Sequence, residues 1–156
     1  MQQIGLISDT HGSLHPAAVQ VLHGSDRILH AGDIGGWEVL QALEAIAPVI
    51  AVRGNMDLGP WAQSLPKTQV VEVEDVLLFM LHDAHALDLE PRAAGFAAVI
   101  SGHSHRPHLQ EKGGVLYVNP GSAGRPPAGM APSVARMSID GCKLQVEFID
   151  LESRRG

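Results

Sequence analysis

Seven side chains able to bind a cation recur in short clusters along this chain of 156 residues. Asp9 and His11 are two apart, as are His103 and His105. In extended backbone such pairs point to the same side, so each can grip one centre. Asp33 follows Gly32, Asn55 follows Gly54, and His82 follows Leu81. Carboxylates, imidazoles and one amide, with no thiolate, suit manganese, iron, zinc, cobalt or nickel rather than calcium. Seven ligands are too many for one ion and suit two ions that share a carboxylate, with Asp33 assigned as the bridge. Two divalent ions against the charges of Asp9 and Asp33 would leave a local positive spot.

Gathering these clusters requires a sheet whose strands end at one rim. Buried strands are expected at residues 3–8, 28–30 and 49–52. Between them fall two helical stretches, the second with Val39, Leu40, Leu43, Ile46 and Ala47 on one face and ending before Pro48. That order implies right-handed crossovers and parallel pairing, with ligand sites beyond the carboxyl ends of the strands. A hairpin is expected from 68–73 and 76–81 about Glu74-Asp75, and another buried strand at 97–101. A second hairpin, from 134–139 and 143–149, is expected to turn at Asp140-Gly141. Five of these strands run directly into Asp9-Thr10-His11, Gly32-Asp33, Gly54-Asn55, His82-Asp83 and Gly102-His103-Ser104-His105.

Composition narrows the classes of partner. Hydrophobic residues make up 45% of the chain and charged residues 18%, which excludes disorder and predicts one globular domain over residues 1–156. A net charge of −6 without a basic run argues against stable nucleic-acid or membrane binding. The longest strongly apolar run, 76–81, is too short to span a bilayer, and no signal peptide is visible at the start, so a cytoplasmic location is expected. The single Cys142 excludes an internal disulfide and a cysteine-based zinc cluster. It is placed on the apolar face of its strand and expected to be inert.

The series Asp9-x-His11, Gly32-Asp33, Gly54-Asn55-x-Asp57, His82 and Gly102-His103-x-His105 resembles the calcineurin-like metallophosphoesterase superfamily. Within it, the series is similar to the small bacterial phosphodiesterases, which also resemble the retromer vacuolar sorting subunit. The match runs in order from Ile4 to about Ser122 and includes Asn119-Pro120-Gly121-Ser122. The resemblance implies an α/β fold, a four-layer αββα sandwich of mixed sheets, with a dinuclear metal site at the strand C-terminal ends. It implies one metal on Asp9, His11, Asp33 and His105, and a second on Asp33, Asn55, His82 and His103. It also implies a small phosphate-ester substrate, cleaved by a hydroxide bridging two divalent metal ions, manganese first among them, with Asn55 also orienting the phosphate. A non-catalytic scaffold of the same fold, a phosphomonoesterase and a homo-oligomer stay open alongside a phosphodiesterase.

Two positions depart from the family pattern. Met56 stands where members often carry His or Cys, the His being taken to protonate the leaving group. The stretch His82-Asp83-Ala84-His85 replaces the usual His-Gly-His, so the role of His85 is not carried over. Asp57 is read as orienting support or a turn former, and Asn119–Ser122 as a structural turn. Asp83 and His85 are assigned a place near the rim, possible substrate contacts. His15, His23, His30 and His108 are read as solvent-facing or packed, Arg125 as a solvated loop residue, and Trp37 and Trp61 as packing across the sheet or lining an interface.

Overall fold

A computed structural model describes residues 1–152; the last four positions of the expected domain lie outside the described residues. Two five-stranded sheets stack face to face. Sheet A contains β1 (Gln2–Ile7), β2 (Arg27–His30), β3 (Val49–Ala51), β9 (Ser133–Asp140) and β10 (Lys143–Asp150), in the order β10-β9-β1-β2-β3. Its first three strands are parallel and the last two antiparallel. Sheet B contains β4 (Thr68–Val73), β5 (Val76–Leu81), β6 (Phe96–Ile100), β7 (Pro107–Lys112) and β8 (Val115–Pro120), in the order β4-β5-β6-β8-β7. The expected mixed-sheet sandwich is the fold observed.

The alternation of side chains across each strand makes the layers. On β1, Ile4 and Leu6 face the other sheet; with Leu29 and Met137 of their own sheet they form one core with Leu78, Met80 and Ile100 of sheet B. Ile7 points outward to join Ile28, Val21, Leu22 and Leu43 beneath the helices. Burying each such aliphatic side chain contributes about 1.5–3 kcal/mol. Helix α1 (Pro16–Leu22) starts on Pro16, with the His15 ring accepting the Ala17 N–H as its cap. Helix α2 (Trp37–Glu44) buries Val39, Leu40 and Leu43, the face its spacing predicted. The outer face of sheet B is covered by Leu87 and Leu89, which follow a 3₁₀ turn at Ala84–Ala86 and pack on Phe79, Val99 and Val115.

Several expectations need correction. The β9–β10 hairpin turns on Gly141 and Cys142, since Asp140 still pairs with Lys143. Cys142 is therefore exposed in a turn rather than set on an apolar strand face. Trp37 is 47% exposed and does not pack across the sheet, whereas Trp61 packs on the helix-side core. The β7–β8 hairpin was not expected. It turns on Gly113-Gly114, both with positive φ, as a two-residue hairpin turn prefers. Among the described residues no helix is long and apolar enough to cross a membrane.

Candidate metal centre

Strands β1, β2, β3, β5 and β6 deliver their following loops to one rim. The loops keep bonding past the strands: Asp9 N–H donates to the Gly32 carbonyl at 3.0 Å, His11 N–H to that of Asp33 at 2.9 Å, and Gly102 N–H to that of His82 at 2.9 Å. Packing this close explains the glycines of the motifs. A Cβ on Gly54 would collide with the backbone and carboxylate of Asp33, and one on Gly102 with the Ser8 hydroxyl and the Asp9 carboxylate. Asp9, His11, Asp33, His103 and His105 all take positive φ, between 47° and 76°. Non-glycine residues there cost of order 1–3 kcal/mol each and persist only where their surroundings hold them.

Asp9 and Asp33 are each tied through one carboxylate oxygen, and the other oxygen faces the histidines. Asp9 Oδ2 accepts the Ser8 hydroxyl at 2.6 Å and the His103 N–H at 3.0 Å. Its Oδ1 lies 3.3 Å from His105 Nε2 and 3.8 Å from both His11 Nε2 and His82 Nε2. Asp33 Oδ1 accepts the Met56 N–H at 2.8 Å, while Oδ2 lies 3.2 Å from His82 Nε2 and 3.8 Å from His11 Nε2. The Nε2 atoms of His11 and His105 are 3.2 Å apart. His82 Nδ1–H donates to the Ala31 carbonyl at 2.8 Å, which aims Nε2 at the carboxylates. Among the described residues, Asp9 Oδ1 and His82 Nε2 are buried with no hydrogen-bond partner.

Two triads result, Asp9 with His11 and His105, and Asp9 with Asp33 and His82, their ligand atoms within 4.8 Å of one another in each. Orphaned buried atoms in a mixed oxygen and nitrogen donor set fit a divalent cation. The local titration agrees with a site that favours positive charge. Burial opposes ionisation of Asp33, but His82 and the Met56 N–H outweigh it and hold the carboxyl below its ordinary value. Burial likewise opposes charging of His82, yet Asp33, the Ala31 carbonyl and Asp9 raise its pKa.

The remaining candidates take varied places. His103 is exposed, its ring edge-on to His82 with centroids 5.2 Å apart and its Nε2 3.9 Å from Asp83 Oδ2. Asn55 is exposed at the loop tip, between Gly54 and Met56. Asp57 is buried and staples two loops, accepting the Gly35 N–H at 3.0 Å and the Gly54 N–H at 2.9 Å. Asp83 caps the 3₁₀ turn through the His85 N–H. Slight burial opposes its ionisation, but that bond and the His103 and His85 rings lower its pKa. His85, His23, His108 and Arg125 are exposed.

Residues given no metal-binding role from the sequence complete the support. Gly32 N–H donates to His30 Nδ1 at 3.1 Å, so His30 Nε2–H faces Thr10 Oγ1 at 3.1 Å, and the Thr10 hydroxyl donates to the Ile34 carbonyl at 2.7 Å. Burial, with the His82 charge adding to it, pushes His30 down to about 3. It is therefore a neutral linker between two site loops. Ser122 Oγ donates to the Asp9 carbonyl at 2.7 Å, and Asn119 Nδ2 to that of Gly102 at 2.8 Å. The polar character of these short loops was the available signal; their partners lie far away in sequence.

Comparison with known proteins agrees with this architecture. A probable metallophosphoesterase of Methanocaldococcus jannaschii is 32% identical over 96% of this chain and 81% of its own length. The phosphodiesterase YfcE of Escherichia coli is 29% identical over 90% of this chain and 89% of its own. The crystal structure of Vps29 from Entamoeba histolytica complexed with zinc superposes with a TM-score of 0.77 at 23% identity, covering 96% of this chain and 99% of that one. Residues 2–141 match the calcineurin-like phosphoesterase superfamily domain, and the chain belongs to that superfamily.

Proposed function

We propose that the chain is a metal-dependent phosphodiesterase acting on small phosphate esters. Asp9, His11, Asp33, Asn55, His82, His103 and His105 are assigned to two divalent ions, with Asp33 shared. The observation that carries the reading is the pair of orphaned buried atoms, Asp9 Oδ1 and His82 Nε2, set 3.8 Å apart. Leaving such atoms unpaired costs about 1–3 kcal/mol each. When bound, divalent ions bring the pKa of water towards neutrality and neutralise phosphoryl charge.

The chain's own contribution is placement. Ser8 and the His103 N–H fix Asp9, the Met56 N–H fixes Asp33, and the Ala31 carbonyl fixes the His82 ring. Asn55, exposed at its loop tip, is assigned to orient the phosphate. The name of the Escherichia coli relative supports a diester over a monoester.

The test is metal analysis of purified protein together with hydrolysis of bis(p-nitrophenyl) phosphate, for wild type and Asp33→Asn, with manganese tried first. The variant is expected to lose most of both bound metal and activity while keeping its circular dichroism. Faster turnover of p-nitrophenyl phosphate than of the diester would move the assignment to a monoesterase. Wild type that binds metal yet cleaves neither ester would favour a scaffold, the alternative that likeness to Vps29 raises.

A further inference from the structure

A groove of about 340 Å³ opens beside His103 on the outer face of sheet B, bordered by Asp83, His108, Gln110, Lys112, Tyr117 and Asn119. Strand register explains its walls. His108 pairs with Asn119 and Gln110 with Tyr117, so these four share the face that also carries Lys112. Elsewhere this face is sealed by Leu87 and Leu89 packed over Phe79, Val99 and Val115. The cover ends at Tyr117, leaving an aromatic floor with the Lys112 Nζ 5.0 Å from the ring centroid. At the other end lie Asn119 and His103, beside the carboxylates of the candidate metal centre. From Asn119 to Tyr117 is two strand residues, roughly 6.6 Å.

We infer that this groove seats the ester group that stays on phosphorus, and that it selects an aromatic ring bearing a second negative charge, the ring on Tyr117 and the charge at Lys112. The inference rests on the phosphodiesterase reading. The leaving group is expected on the opposite side, where Met56 stands on the loop after β3 of sheet A. The volume is within the range of small-molecule sites. Lys112 is exposed, and among the described residues no carboxylate forms an ion pair with it, so its charge over the Tyr117 ring is not neutralised by a neighbouring anion.

Three diesters sharing a p-nitrophenyl leaving group test this: methyl, phenyl and 4-carboxyphenyl. With manganese-loaded wild type, kcat/KM is expected to rise about 10-fold from methyl to phenyl, the scale of one aromatic contact. It should rise about 3- to 5-fold more with the carboxylate, the scale of an exposed ion pair. Tyr117→Leu should shrink the first ratio, and Lys112→Met the second. Lys112→Glu should turn the carboxylate preference into discrimination against it. Lys112 is a surface residue, so its variants read the groove even where Tyr117→Leu does not fold.

Equal kcat/KM for all three diesters, or a carboxylate preference that survives the Lys112 variants, would overturn the inference while leaving the phosphodiesterase reading intact. Calorimetric titration with phenyl phosphate and 4-carboxyphenyl phosphate reads the groove without bond cleavage. If no diester is cut but the carboxylated ligand binds tighter, and Lys112→Met abolishes that difference, the groove's selectivity for an anionic aromatic ring stands and the catalytic reading alone fails. Equal binding of the two ligands overturns it.

Discussion

His105 Nε2 stands 3.3 Å from Asp9 Oδ1, although strand β1 delivers one residue and the loop after β6 the other. Asp9 Oδ1 has no hydrogen-bond partner there and is fully buried, whereas Oδ2 is satisfied twice over. Such an arrangement would stabilise a bound cation and costs stability in its absence. Asp9→Asn should therefore separate the two effects. The amide oxygen can keep the bonds to Ser8 and His103, while its NH₂ replaces an unpaired anion facing Asp33. The metal-free variant should melt about 2–4 °C higher than wild type, the scale of 1 kcal/mol in a chain of this length. Manganese should raise the melting temperature of wild type only. A variant that melts lower without metal and still gains stability from manganese would contradict this account.

His30 gives a separate acid signature. Its folded pKa of about 3 is below the ordinary 6.5 because burial disfavours the imidazolium. A group with a depressed pKa that must stay neutral contributes stability in full above pH 6.5, and loses it as the pH falls towards 3. At pH 4.5 the loss is about 3 kcal/mol. Urea unfolding of metal-free wild type and His30→Gln at pH 7 and pH 4.5 checks it. The variant should be less stable at pH 7, and its drop between the two pH values should be smaller than that of wild type by this amount. Equal drops would show that His30 is not held neutral.

How far the site was readable from the sequence follows from where its restraints come from. Strands β1, β2, β3, β5 and β6 are buried runs that end abruptly in polar residues, so the loops and their gathering at one rim were legible from type and spacing. Strand β7 was not, because all its residues are exposed at the sheet edge and carry no alternation. Gly113-Gly114 was the one clue to it. The second hairpin turn lies one residue later than Asp140-Gly141 suggests, since pairing of Asp140 with Lys143 sets the register. Apart from the local Gly32 N–H bond to His30, the supports at Thr10, His30, Asn119 and Ser122 named above bond to residues 17 to 113 positions away, a relation that no local pattern encodes.

Gly102 tests whether the motif glycines serve packing. It needs no positive φ, so replacement by Ala adds only contact, against Ser8 Oγ and the Asp9 carboxylate. Overpacking of this kind costs about 1–3 kcal/mol. Gly102→Ala should lower the melting temperature accordingly and weaken manganese binding, because it displaces the Asp9 carboxylate and the Ser8 hydroxyl that holds it. Full stability with unchanged manganese affinity would place the reason for this glycine elsewhere.

Met56 decides which leaving groups the proposed enzyme tolerates. Its N–H holds Asp33, but its side chain is 58% exposed and carries no transferable proton. A positioned general acid is worth roughly 10²–10⁴-fold, most of it on poor leaving groups. Wild type should therefore cleave aryl diesters far faster than alkyl diesters, with kcat falling steeply as the leaving-group pKa rises. Met56→His keeps the backbone N–H and introduces an imidazole at the same loop tip. It should raise turnover of alkyl diesters by about 10- to 100-fold, below the full range because the new ring is not pre-positioned. Turnover of aryl diesters and manganese affinity should change little, which separates proton donation from a change at the metal centre. A wild-type rate already independent of leaving-group pKa would mean that another residue donates the proton, and the exposed His85 beside Asp83 would be the next position to replace.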